Sequence, residues 1–168
     1  VDNGADRFDG GDGIDFLVLD TRAVNDPALV VSASLEAGLA GVAGGTTDPF
    51  SNIEHLGVRG DSDAVLTGDG LSNRLTGDGG DDALIGGGGF DTLTGGAGND
   101  TVTGGNGRDV AFLGTGDDVF IDNGQGGDLG RDAVYAGAGS DTIQGGNGND
   151  TFYGEWGDDL IFARLGED

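Results

Sequence analysis

Apolar residues return along the second half of the chain at intervals of nine: Leu84, Leu93, Val102, Ala111 and Phe120, then Val134, Ile143, Phe152 and Ile161. That period fits neither the roughly 3.6 residues of an amphipathic helix nor the unbroken alternation of a long strand. Lines of nine from Gly77 read GDGGDDALI, GGGGFDTLT, GGAGNDTVT, GGNGRDVAF and LGTGDDVFI. After five extra residues, DNGQG (122–126), they resume as GDLGRDAVY, AGAGSDTIQ, GGNGNDTFY and GEWGDDLIF, with ARLGED as a partial line. Places seven to nine predict a short strand whose middle side chain points inward, and the Gly-rich places one to six predict a tight loop. Loop plus strand makes half a turn of a flattened right-handed coil, so two lines close a turn and residues 18 apart stack. Upstream, GDGLSNRLT (68–76) keeps Leu75 but has Asn73 in sixth place, and RGDSDAVLT (59–67) keeps only Leu66. VDNGADRFD and GGDGIDFLV open the chain with Asp6 and Asp15. A short, fixed period is the signature of a solenoid.

Residues 19–58 break the pattern. Phe16–Asp20, Leu29–Ser34 and Phe50–Val58 read as strands, with Pro27 and Pro49 as breakers ahead of two of them. LEAGLAG (35–41) is open to a short helix, against which its glycines argue. Three parts follow: two N-terminal repeats over 1–18, a non-repeat strand insert or cap over 19–58, and the main array over 59–168 with its loop insertion at 122–126. A cap covers the open end of a solenoid core.

Composition sharpens the question of what holds such a chain together. Gly accounts for 39 residues, hydrophobic residues for only 35%, and 31 Asp+Glu face 7 Arg and no Lys, a net charge of -24. An acidic, Gly-rich chain stays disordered unless its charge is neutralised. Nucleic acid and anionic membrane surfaces are excluded as partners, since both need clustered basic residues. No apolar run reaches the roughly 18 residues of a membrane span. VDNGADRFDG lacks the basic and apolar regions of a signal peptide, and both ends look cut from something longer. Cys is absent, which excludes disulfides and thiolate metal sites and fits an extracellular destination.

The acids are placed regularly: the sixth residue of every line from Gly77 is Asp. The pattern G-G-x-G-x-D-x-U-x, with U apolar, resembles the RTX (repeats-in-toxin, hemolysin-type) calcium-binding repeat, and GGAGNDTVT and GGNGNDTFY match it almost letter for letter. The resemblance covers about residues 59–168 and 1–18, and implies an all-β parallel β-roll with a small β-strand appendage. The order of GGDGID, the strands and FSNIEHLGVRGDSDAVLTGDG is similar to the C-terminal region of serralysin-type secreted proteins. Calcium takes about six to eight oxygens, from carboxylates and carbonyls alike, and Gly lets a loop aim several carbonyls at one point.

In that family an ion lies between loops stacked 18 residues apart, held by both Asp residues, by carbonyls of places two and four upstream and by carbonyls of places one and three downstream. Carried onto this chain, Asp82 and Asp100 share an ion with carbonyls of Asp78, Gly80, Gly95 and Ala97; Asp91 and Asp109 share one with Gly87, Gly89, Gly104 and Asn106. Asp100 and Asp118 follow with Gly96, Gly98, Leu113 and Thr115. A surface bulge at DNGQG keeps both edges in phase, giving Asp109 with Asp132 (Gly105, Gly107, Gly127, Leu129) and Asp118 with Asp141 (Gly114, Gly116, Ala136, Ala138). Beyond it come Asp132 with Asp150 (Asp128, Gly130, Gly145, Asn147), Asp141 with Asp159 (Gly137, Gly139, Gly154, Trp156) and Asp150 with Asp168 (Gly146, Gly148, Ala163, Leu165). That makes about eight ions. Leu113 and Ala136 replace Gly but still offer carbonyls, whereas Asn73 and Leu71 count against a full site between Asn73 and Asp91.

No catalytic constellation accompanies these loops. His55 is the single histidine and sits in an apolar run; HExxH, GxSxG and a P-loop lysine motif are absent. Phe112, Tyr135 and Tyr153, all at place nine, predict an outward aromatic strip that either docks a partner domain or glycan or simply stabilises the sheet. Thr92, Thr94, Thr101 and Thr103 form no flat ice-binding ladder, because TLT and TVT fall on opposite faces. The reading is a non-catalytic calcium-binding module that folds in extracellular calcium and serves as folding and export module of a larger secreted protein, exported by a bacterial type I system. A polysaccharide-binding or structural stalk module of an adhesin, surface-layer protein or epimerase is the alternative. In the family a type I secretion signal usually lies near the extreme C-terminus, and these residues, which stop at LGED within a repeat, do not include one.

Overall fold

The computed structural model describes residues 7–22, 29–42, 47–123 and 130–164. These hold strands and no helix: β1 (Phe8–Asp9), β2 (Phe16–Asp20), β3 (Val31–Ser34), β4 (Leu39–Val42), β5 (Thr47–Ser51), β6 (His55–Arg59), β7 (Ala64–Thr67), β8 (Arg74–Gly79) and β9 (Ala83–Gly89) come first. Then follow β10 (Thr92–Ala97), β11 (Thr101–Gly107), β12 (Val110–Thr115), β13 (Val119–Ile121), β14 (Ala133–Ala138), β15 (Thr142–Gln144), β16 (Thr151–Trp156) and β17 (Leu160–Phe162). Successive strands from β6 onward alternate between two sheets, one ordered β1-β5-β4-β3-β7-β9-β11-β13-β15-β17 and the other β16-β14-β12-β10-β8-β6-β2. Within the array all neighbours are parallel, and Thr101 lies between Ala83 and Val119, as Thr92 lies between Arg74 and Val110. The expected parallel β-roll is therefore the fold.

The core is thin, built from place-eight side chains of both sheets. Leu66, Leu75, Leu84, Leu93, Val102, Phe120, Val134 and Ile143 are fully buried between the sheets. Place-one side chains also point inward, which explains the departures from Gly. Where place eight is the small Ala111, Leu113 two residues on fills the space. Where place eight is Phe, place one must stay bare: a Cβ on Gly104 would lie 3.3 Å from Phe120, and one on Gly145 2.5 Å from Phe152. Phe152 is only partly buried and Ile161 is 40% exposed, since no further described rung covers them.

The insertion does not disturb the stack. Val110 pairs with Ala133 and Val119 with Thr142, each 23 residues apart, so the five extra residues leave the register of both sheets intact. Upstream, β2 pairs in parallel with β6, and β3, β4 and β5 extend the other sheet past β7. Three expectations change here. Phe50–Val58 is not one strand: Asn52 adopts φ 55 and the chain crosses from β5 in one sheet to β6 in the other. LEAGLAG forms no helix, as its glycines argued: Leu35–Gly38 turn sharply, with Gly38 at φ 61, and β4 then runs back antiparallel to β3. Pro49 lies inside β5 rather than ahead of it, outside the two residues that pair with β1. The strand expected from Leu29 begins at Val31. No helix among the described residues is long and apolar enough to cross a membrane.

Candidate metal sites along the two edges

Alternation between sheets brings every second loop to the same edge. On edge one stack the loops that carry Asp82, Asp100, Asp118, Asp141 and Asp159; on edge two stack those of Asp91, Asp109, Asp132 and Asp150. Each Asp turns inward and is locked by the rung before it. The amides of Ala64, Asp82, Asp100, Asp118 and Asp141 donate to Oδ1 of Asp82, Asp100, Asp118, Asp141 and Asp159 at 2.7–3.0 Å. On edge two Asn73, Asp91, Asp109 and Asp132 donate likewise to Asp91, Asp109, Asp132 and Asp150 at 2.8–2.9 Å.

One oxygen of each pair remains. Oδ2 of Asp82, Asp91, Asp100, Asp118 and Asp141 is buried without a hydrogen bond. An orphaned buried carboxylate oxygen is costly unless a cation meets it. Its surroundings are other oxygens. The space that a Cβ on Gly86 would fill is bounded by Asp91 Oδ2 and the Gly104 carbonyl, each 2.5 Å away. At Gly95 it is bounded by Asp100 Oδ2 and, at 2.6 Å, the Leu113 carbonyl; at Gly77 by Asp82 Oδ2 and, at 2.7 Å, the Gly95 carbonyl. Places two and four hold positive φ, as at Gly96 (129°), Gly98 (124°), Gly114 (124°) and Gly116 (133°), and their missing side chains leave room for the carbonyls of Asp78, Gly80, Gly96 and Gly98 from the rung before. The carbonyls of Thr115, Ala138 and Trp156 accept amides of Gly98, Gly116 and Gly139 at 2.8–2.9 Å, which leaves each a second lone pair.

The electrostatics match an unneutralised cation site. Burial pushes the Asp82 carboxyl up to about 8, with the charges of Asp100, Asp63 and Asp81 adding to it. Burial raises Asp100 and Asp132 to about 7 and Asp91 and Asp118 to about 6, and it raises Asp141 as well. Among the described residues no three His, Cys, Asp or Glu side chains cluster, so any ion here must lean on main-chain oxygens. An all-oxygen set of two carboxylates with convergent carbonyls fits a hard ion, calcium above all.

The family model of the RTX calcium-binding nonapeptide repeat matches residues 2–17, 60–93, 85–120, 126–161 and 135–168. The chain belongs to this family. No match is found among curated proteins. RTX repeats bind calcium, their β-roll is a non-catalytic structural module, and they are typical of secreted bacterial proteins.

Several sequence-derived positions look different once placed. Gly127, Asp128, Leu129, Leu165 and Asp168 lie outside the described residues. Trp156 turns its side chain outward, 81% exposed, so only its main chain faces the loop. Asn73 spends its amide locally: Oδ1 accepts the Asp69 amide at 2.8 Å and Nδ2 donates to the Glu54 carbonyl at 3.1 Å. His55 packs against Phe16 in a tilted ring pair, with centroids 4.4 Å apart, and accepts the Arg74 amide, a structural role.

Periodicity alone misses three groups. Asp122, the first residue of the insertion, reaches the space beside Gly146 where the matching glycines 87, 96, 105, 114 and 137 each face a main-chain carbonyl from the rung before. On edge one, place-five side chains form an outer ladder, with the amides of Asp81, Asn99, Asp117 and Ser140 donating to Asp63, Asp81, Asn99 and Asp117 at 2.8 Å. The recurrence of Asp, Asp, Asn and Asp there was a visible signal. Glu54 also enters the edge-two column, from a segment with no repeat.

Proposed function

We propose that this chain is a calcium-triggered folding module, with the carboxylate pairs 82/100, 100/118, 118/141 and 141/159 on one edge and 91/109, 109/132 and 132/150 on the other as its ligands. The orphaned, buried Oδ2 atoms carry this reading. They face carbonyls and not basic side chains, and the 7 Arg cannot compensate 31 acids. Bound calcium supplies the missing positive charge. The chain's own part is to present oxygens in cradles that only Gly-rich loops can form. At the 132/150 pair we assign Asp122 to the place that an upstream carbonyl fills elsewhere.

Folding and binding are then one equilibrium. At low calcium, as inside a cell, the acids repel and the chain stays extended; at millimolar calcium, in the range of about 10⁻⁴–10⁻³ M sites of extracellular modules, the roll closes. This supports a role as folding and export module of a larger secreted protein, delivered by a type I system. The aromatic strip forms as expected, but its geometry favours sheet stabilisation over glycan capture. Phe112, Tyr135 and Tyr153 stack on one another at 5.1 and 4.8 Å, nearly parallel at 11°, so their faces are spent on each other.

A calcium titration followed by far-UV circular dichroism tests the reading. The expected result is a steep coil-to-β transition near millimolar calcium that magnesium does not reproduce. A chain fully folded in excess chelator at neutral pH overturns it.

A further inference from the structure

We propose that the two long edges of the roll carry complementary rows, and that calcium-loaded copies of this chain associate side by side, edge two of one against edge one of the next; the inference rests on the calcium reading above. The rows are built from place five, whose side chains lie outside the Asp columns. On edge one they are Asp63, Asp81, Asn99, Asp117, Ser140 and Asp158, on consecutive rungs. On edge two the same place holds Ser72, Phe90, Arg108, Arg131 and Asn149. The positions are equivalent: the Phe90 amide donates to Ser72 Oγ at 3.0 Å, just as the Asp81 amide donates to Asp63 Oδ1 at 2.8 Å. One edge is therefore acidic, and the other is apolar at its start and basic in its middle.

The basic stretch stands out in a chain of this composition. Only 7 Arg occur in the sequence, yet two of them occupy adjacent rungs, one strand spacing of about 4.8 Å apart. Both are exposed, and among the described residues neither forms an ion pair, although the chain holds 31 acids. Like charges so placed repel. On the same edge Phe90 is 69% and Leu71 65% exposed. Aromatic and Arg side chains gathered in one patch are the composition of a protein interface.

The complement to such a column is a straight row of carboxylates at the same rise, and edge one is that row. The register also fits. Each half turn climbs half of the roughly 4.8 Å strand spacing, so Asp117, which follows Arg108 and precedes Arg131 along the coil, stands level with the gap between them. A second copy set alongside without axial shift brings its own Asp117 between the two guanidinium groups. Asp117 is exposed and its Oδ1 accepts the Ser140 amide at 2.8 Å, so Oδ2 is the oxygen offered to a neighbour. At the level of Phe90 the facing loops carry Gly80 and Gly98 at place four, with no side chain to hold the edges apart. The contact is heterologous, each copy using both edges, so copies line up in an open row. Net charge sets when this happens. At -24 the copies repel, whereas calcium at the seven carboxylate pairs, two charges each, brings the net charge to about -10.

Sedimentation velocity of the full chain at saturating calcium, over a range of protein and salt concentrations, tests this. Wild type is expected to gain mass with concentration and to lose it as sodium chloride screens the pairs. R108E/R131E, with its calcium count and far-UV spectrum unchanged, is expected to stay monomeric, and so is D117R. Mixed in equal amounts, the two variants are expected to associate again, because each supplies the charge that the other has reversed. Should D117R fail to fold, D117N decides: Asn keeps the ladder bond, as Asn99 does for the Asp117 amide, and is expected to weaken association. A folded wild type that stays monomeric, or R108E/R131E that associates like wild type, overturns this proposal and leaves the calcium reading intact. Retention of monomeric wild type by polygalacturonate in affinity electrophoresis, lost in R108E/R131E, would overturn it in favour of an anionic glycan on edge two. A wild type that calcium neither binds nor folds overturns both readings.

Discussion

Asp118 lies in the middle of edge one, and its substitution by Asn should act in opposite directions with and without calcium. Its Oδ1 accepts the Asp100 amide at 2.7 Å, and Asn can keep that bond through its own oxygen. Its Oδ2 is buried with no donor, and burial lifts the carboxyl from 3.8 to about 6. A rise of about two units, at about 1.4 kcal/mol per unit, means that holding this group ionised in the metal-free fold costs about 3 kcal/mol at pH 8. In Asp118→Asn that cost vanishes. In excess chelator at pH 8 the variant should therefore be more β-rich and withstand more urea than wild type. In calcium the order should reverse: two adjacent ion positions each lose a charged ligand, and the midpoint of the folding titration moves to higher calcium. Far-UV circular dichroism with chelator and calcium arms reads both. A variant less folded than wild type in the chelator arm as well would show that the buried ionised carboxylate does not burden the metal-free fold, and the cation argument would fail.

The same carboxyls set the pH dependence. Their folded pKa values, about 6 to 8 for Asp82, Asp91, Asp100, Asp118 and Asp132, lie above the ordinary 3.8, so their stabilisation of the metal-free roll is complete below about pH 4 and is lost as pH rises through about 6 to 8. Chelator-treated protein should thus gain β signal between pH 8 and pH 5, while the calcium midpoint falls as pH rises over that window, because protons compete for the same oxygens. Leu113→Ala should cost about 2–5 kcal/mol in urea unfolding at saturating calcium, because Leu113 is fully buried beside Ala111. Tyr135→Ala removes both stacked pairs and should cost about 1–3 kcal/mol with no change in the number of ions bound, as calorimetry would show.

What could be read from the letters alone divides along a physical line. Wherever spacing fixes the outcome, the pattern sufficed: residues 18 apart must stack in a two-strand turn, so the column from Leu84 to Ile143 and the Asp pairs on each edge followed directly. The insertion could be placed for the same reason, since a loop at an edge adds length without moving Val119 off Thr142. Between 19 and 58 no period constrains the chain, and tertiary contacts decide. Nothing in PFSNIEHLGV announces that Asn52 takes a left-handed conformation and sends its two halves to different sheets. Glu54 was illegible because it lies in a segment without repeats, where no interval assigns it a place in the column. Asp122 was hidden because it sits between two lines, where the pattern assigns no role.

The column of Asp residues has a direction. Every amide in it donates to the carboxylate of the following rung, so a severed stack would end in acceptors on its upstream side and in donors on its downstream side. Two such ends are complementary, and identical copies would join head to tail without closing, the arrangement that builds filaments. The upstream end of this roll is not left bare. β3 lies against β7, and the antiparallel β4 and β5 reverse the run of parallel strands in that sheet. This arrangement would make the segment without repeats a terminator, stopping a self-templating sequence from recognising itself end to end.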